Sequence, residues 1–231
     1  MNDFVVVVLA IELAVLFSTI FSFWKDLKED YPADLIFSLY LLILFTSFFF
    51  GRLAYVIGPD LITSQGLWSW LDLISQPGIS LPIAYLSGFL IFYWFTGKNK
   101  WNSWQIGDSV IFQFFKIIFF FSLAGQLINF SWYGVSLTVL AGIVYLLGRK
   151  LAKIYRSIRW YKSGKVGFLA TSLTFAFFSL FLLLDIFLGK ALYWERLFNL
   201  GLAVLGLVLL YIRSGRNFRQ DFKIFNKNGQ N

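Results

Sequence analysis

The chain has 231 residues, of which 58% are hydrophobic, 21% aromatic and only 14% charged. An average soluble chain is about 45–50% apolar and about 25% charged. Side chains this apolar, with 29 Phe and 9 Trp among them, overfill any single core, so lipid must solvate much of the surface. His and Cys are both absent, which excludes imidazole bases, His-based triads, His-ligated metal or haem, zinc–thiolate and iron–sulfur sites, disulfides and thiol nucleophiles. No cofactor or metal is expected. The net charge of +8 implies no nucleic-acid partner in so apolar a chain; its distribution matters more than its sum.

Crossing a hydrocarbon layer of about 30 Å takes about 20 apolar residues in a helix. Seven runs qualify: Phe4–Trp24, Leu35–Ile57, Ile79–Phe95, Ile106–Asn129, Val135–Gly148, Val166–Leu188 and Leu197–Ile212. Only helices satisfy their own backbone groups in lipid at these lengths, so the expected class is an all-α membrane protein in one domain, residues 1–219. The first run lacks a basic leading segment and a small-residue cleavage site, and is read as a retained span rather than a signal peptide. After the second run, Leu61–Ile74 alternates apolar and polar residues as a helix lying flat on the outer surface would. The fifth run is short and is expected to extend into the charged segment after it, its Lys and Arg reaching back to the headgroups. Between Arg149 and Lys165, Leu151, Ile154, Tyr155, Ile158 and Tyr161 recur at helical spacing among basic residues. That segment reads either as a dock for anionic inner-leaflet lipid or as a topology-setting basic loop. The tail, 220–231, is expected to be loosely ordered.

Charge orients the spans. Lys25 and Lys28, Lys98 and Lys100, the seven basic residues from Arg149 to Lys165 and the five from Arg213 to Lys227 all fall on one side of a seven-span topology. That is sixteen of the 20 Lys and Arg. Short cytoplasmic loops collect positive charge, which places the N-terminus outside and the C-terminus inside. The nine Trp fall at or between span ends, as an interfacial aromatic belt does.

Ionisable residues within spans are costly and mark candidate sites. Arg52 lies roughly 8 Å, Asp185 roughly 5 Å and Glu12 roughly 12 Å below the outer ends of their spans, with Gln126 and Asn129 closing the fourth span on the same side. Lys116 is near mid-membrane, roughly 20 Å from that end, and Asp108 is near the inner boundary. The expected site is a convergence of Arg52, Glu12, Asp185, Gln126 and Asn129 in the outer leaflet, where a planar guanidinium suits a phospholipid phosphate. The competing expectation is an internal Arg52–Glu12 or Arg52–Asp185 pair that orients helices.

Phe50-Gly51-Arg52-Leu53-Ala54-Tyr55-Val56 resembles the Gly-Gly-Arg-x-Gly-Tyr-Val segment of bacterial prolipoprotein diacylglyceryl transferases. Gly78-Ile79-Ser80-Leu81-Pro82-Ile83-Ala84 stands where that family has Gly-x-Ser-Phe-His-Gly-Gly. Gly125-Gln126-Leu127-Ile128-Asn129-Phe130 is similar to its Gly-Arg-x-Gly-Asn-Phe, and Gly164-Lys165-Val166-Gly167-Phe168 to its Pro-Gly start of the sixth span. The seven-span plan is shared. The resemblance implies a bacterial plasma-membrane protein with phospholipid, phosphatidylglycerol in particular, and a lipoprotein precursor as partners. The departures fall on the chemistry. The family's essential His is Pro82 here, its phosphate-gripping Arg is Gln126, and the Arg of its sixth span has no counterpart. Its outer arm after the fourth span and the His-Trp-Tyr-Gly of its first span are also missing. Three readings follow: a phospholipid-binding relative that has lost the transferase reaction; an active transferase with Glu12 as a weak substitute base; and a small transporter or channel subunit using Lys116.

Overall fold

The computed structural model describes residues 3–57, 78–128, 130–161, 163–188 and 193–216, and every element among them is helical. In chain order these are α1 (Asp3–Leu27), α2 (Ala33–Ile57), α3 (Leu81–Lys98), α4 (Ser103–Ile128), α5 (Trp132–Ile154), a 3-10 turn (Tyr155–Ser157), α6 (Phe168–Leu188) and α7 (Tyr193–Arg213). All but α3 are long and apolar enough to cross a membrane. At 18 residues, with Pro82 in its first turn and Lys98 in its last, α3 measures about 27 Å against a layer of about 30 Å. The architecture is that of an integral membrane protein.

The odd-numbered helices each carry a base in the last turn: Lys25, Lys98, Lys153 and Arg213. That is where the negative pole of a helix favours a cation. Since successive helices reverse direction, the same residues gather charge at one end of the bundle, and the contacts between segments show them meeting there. Gln105 Nε2 donates to Asp30 (2.6 Å) and Ser109 Oγ to Asp26 (2.8 Å), which joins the start of α4 to the α1–α2 turn. Tyr31 packs on Trp101. On the far side of α4, the Asp108 carboxylate accepts from the Gly167 and Ala170 amides at 2.7 and 2.8 Å, capping α6 from another helix. Arg213, at the end of α7, lies over the Trp104 ring at 4.7 Å and donates from Nε to the Val166 carbonyl at 2.8 Å. Lys28, Lys98, Arg156 and Arg216 likewise lie over Trp24, Trp94, Tyr155 and Trp160. We call this the basic end.

Packing centres on α4, which lies against α1, α3, α5 and α6, while α2 pairs with α3 and α6 with α7. Phe115, Phe177, Phe178 and Phe181 stack in the interior of α4–α7. Phe23, Ile36, Tyr40, Phe95 and Ile106 form a second core where α1–α4 meet. Close approach needs small residues, as expected in lipid, where packing rather than water expulsion joins helices. A Cβ on Gly206 would sit 2.7 Å from the Phe175 backbone nitrogen, so α7 lies directly on the α6 main chain.

The span positions read from the sequence agree with these helices, and α5 does run past Gly148 into the basic segment, to Ile154. The helical spacing read up to Tyr161 does not hold. After the 3-10 turn the chain folds inward, burying Tyr155 and Tyr161 against Phe168. The Tyr161 hydroxyl donates to the Lys165 carbonyl at 2.8 Å, and burial pushes its phenol pKa up. Two aromatics assigned to a surface stripe are core residues. The expected flat helix at Leu61–Ile74 and the tail at 220–231 lie outside the described residues.

Candidate functional site

The end of the bundle opposite the basic end carries two polar groups. The first is built on α2 and α3. Gly51 lets these helices meet: a Cβ there would lie 2.7 Å from the Ala84 Cβ, and the Gly51 carbonyl accepts from the Ser80 amide at 3.0 Å. Arg52, the next residue, is carried into the protein with 0% of its surface exposed. One guanidinium nitrogen donates to the Gly78 carbonyl at 2.9 Å, and the group lies 5.5 Å from the centre of the Tyr55 ring. Ser80 is buried beside this turn and its hydroxyl has no hydrogen-bond partner. A buried hydroxyl without a partner is uncommon and calls for an explanation.

The second group is built on α5, α6 and α7. Asp185, also fully buried, accepts from the Tyr133 hydroxyl at 2.9 Å and from Asn199 Nδ2 at 2.7 Å. Arg196 donates to the Asp185 main-chain carbonyl at 3.3 Å. Arg196 Nε and Asn199 Oδ1 are buried without partners. A recess of about 290 Å³ is lined by the apolar side chains Ala54 and Ile57 of α2, Ile83 of α3 and Trp194 of α7. Ala54 follows Arg52 by two positions, Ile83 follows Ser80 by three, and Trp194 precedes Arg196 by two.

Of the residues that the sequence reading gathered, Arg52 and Asp185 have different described hydrogen-bond partners. Asp185 is engaged by Tyr133, in the first turn of α5, and by Asn199, in the second turn of α7. Half-buried Glu12 makes no hydrogen bond or ion pair among the described residues. Gln126 is spent locally: its Oε1 accepts from the Ser131 amide at 2.7 Å, and its side chain occupies the space over Gly134. It closes the α4–α5 turn, where Ser131 caps α5 through the Gly134 amide. Asn129 lies outside the described residues. Lys116 donates to Ser18 Oγ at 2.9 Å and pairs with no carboxylate among the described residues. Asp108, placed by the sequence only near a boundary, is the cap of α6.

Tyr133, Asn199, Arg196 and Ser80 were not singled out from the sequence. Tyr133 read as loop, and Asn199 was absorbed in an apolar run. The available signal was Asp185 itself, since a carboxylate deep in an apolar span demands donors, together with the Arg196–Asn199 spacing of three, which puts both on one face of α7. No family model matches the chain, and neither the curated proteins nor the solved structures contain a match.

Proposed function

We propose that this is a phospholipid-binding membrane protein with the layout of the diacylglyceryl transferases and without their reaction. In this reading the basic end faces the cytoplasm of a bacterial cell, with residues 149–165 on anionic inner-leaflet lipid. The opposite end then opens to the outer leaflet. There Arg52 takes the lipid phosphate, Ser80 adds a hydroxyl, and an acyl chain enters the recess beside Ala54, Ile57, Ile83 and Trp194.

The observation that carries the reading is the burial of Arg52. A fully buried guanidinium, the unpartnered Ser80 hydroxyl and the apolar recess together offer a charge, a hydrogen-bonding group and a dry pocket, the set that an amphiphilic anion needs. Bidentate pairing of Arg with phosphate adds geometry as well as charge. The transferase reaction needs a base beside the phosphate, and the chain has no His to supply one.

The test is the phospholipid that remains on the protein through purification in mild detergent, counted by mass spectrometry. Arg52→Ala is expected to lower occupancy about tenfold or more, and Arg52→Lys less, since an ammonium keeps the charge and loses the fork. Unchanged occupancy in folded Arg52→Ala would overturn the proposal. Given labelled phosphatidylglycerol and a lipobox peptide, the wild-type protein is expected to transfer no label above background; transfer that depends on Glu12 would establish the enzyme reading instead.

A further inference from the structure

The lipid site leaves one charge unexplained. Lys116 is the fourteenth of the 26 residues of α4, about 20 Å from the basic end and about 18 Å from the other. It is not pulled toward either. Ser109 of α4 bonds Asp26 of α1, and Lys116 bonds Ser18. These two rungs lie about 10.5 Å apart on α4 and about 12 Å apart on α1, so Lys116 and its serine are level and mid-depth. The rung is on the outer face of the bundle, with Ser18 exposed.

An ammonium has three donors and a full charge. Ser18 accepts one hydrogen bond and neutralises nothing, and no carboxylate lies within ion-pair reach of Lys116 among the described residues. On insertion scales a lysine at the centre of a helix costs about 2.5–3.5 kcal/mol, and such residues elsewhere face a bundle interior or an opposite charge. A lysine stem reaches about 6 Å, too short from this depth to bring the charge to the headgroups.

The surface around it is shaped for a helix. On α1, exposed Val7, Ile11, Ser18 and Phe21 share one face, spaced as in the seam of a coiled coil. On α4, Lys116, Leu123 and Leu127 continue that face, both leucines exposed. Among the described residues α1 packs chiefly on α2 and α4, and Val7, Ile11, Ser18 and Phe21 on this side of it are exposed.

We propose that the α1–α4 groove binds a transmembrane helix of another protein that carries one carboxylate at mid-span, and that Lys116 is the charge that selects it. Charge complementarity decides the occupant. Lipid tails offer no anion at this depth. A second copy, apposed about an axis along the membrane normal, would bring Lys116 opposite Lys116 at equal depth. Glu12, six residues from Ser18 on α1, lies about 9 Å further toward the other end.

The test uses the full chain, which has no Cys, labelled through Leu146→Cys on the exposed face of α5 and reconstituted in phosphatidylcholine vesicles. A synthetic poly-leucine helix with a single central Glu, carrying the donor fluorophore, is titrated in and energy transfer measured. The Glu helix is expected to bind about fivefold more tightly than the same helix with central Gln, in the range that intramembrane polar contacts give. Lys116→Gln is expected to abolish the difference while the unfolding transition stays unchanged. Lys116→Glu is expected to restore binding toward a helix with central Lys, which a merely structural role for Lys116 would not produce. Equal binding of the Glu and Gln helices, a preference that survives Lys116→Gln, or self-association of the chain that blocks the Glu helix would each overturn the proposal.

Discussion

The two ends of the bundle handle polar groups in opposite ways. At the basic end, charges are consumed: Asp108 caps α6, Asp26 and Asp30 hold α4, and Arg213 is sandwiched between Trp104 and the Val166 carbonyl. At the other end, polar groups are buried more deeply and some are left over: Ser80 Oγ, Asn199 Oδ1 and Arg196 Nε have no partner. Orphaned buried donors and acceptors cost stability. An end that carries three of them is organised around something besides its own fold, whereas the basic end spends Asp26, Asp30 and Asp108 on contacts that hold helices together.

That contrast sets an order of effects. Asp185→Ala is expected to cost the most, about 3 kcal/mol, because it strands the Tyr133 hydroxyl and Asn199 amide where water does not reach. Chemical unfolding in detergent measures it. Asp185→Asn should cost much less, because Asn199 can turn its amide so that Oδ1 accepts. Next comes Asp108→Ala, about 2 kcal/mol, since the freed α6 amides lie near the helix start, where other acceptors can reach them. A loss larger than that for Asp185→Ala would reverse the comparison and make the basic end the more tightly committed region. Smallest is Gly167→Ala, about 1–2 kcal/mol: φ is +100° there, and a Cβ would lie 2.6 Å from the Trp104 ring. A neutral result would show that the Trp104–Arg213 stack is loose enough to shift aside.

The helices were legible because length and apolarity are local properties of a run: α2, expected at Leu35–Ile57, spans Ala33–Ile57. Helix ends were less so. α7 begins at Tyr193 rather than Leu197, since Trp194, Glu195 and Arg196 suit a first turn as well as a loop. The stretch after Ile154 failed for a different reason. Periodicity showed where Ile158 and Tyr161 would point in a helix, but not that the helix would stop and tuck the tyrosines under Phe168. Burial of Asp185 and Arg52 was legible from their depth, but their partners were not. Which carboxylate meets which donor depends on the relative heights of helices far apart in sequence, and composition carries no information about that.

The trans cap on α6 bears on how the protein is made. The carboxylate that completes the start of α6 belongs to α4, which leaves the ribosome first, so the receiving group is already in place when the sixth span arrives. Arg213 emerges last and closes over the same junction. Assembly at this corner is therefore ordered by synthesis: a nascent chain cut off before α7 would hold the start of its sixth helix by the aspartate cap and the packing on α4 and α5, with the latch not yet thrown.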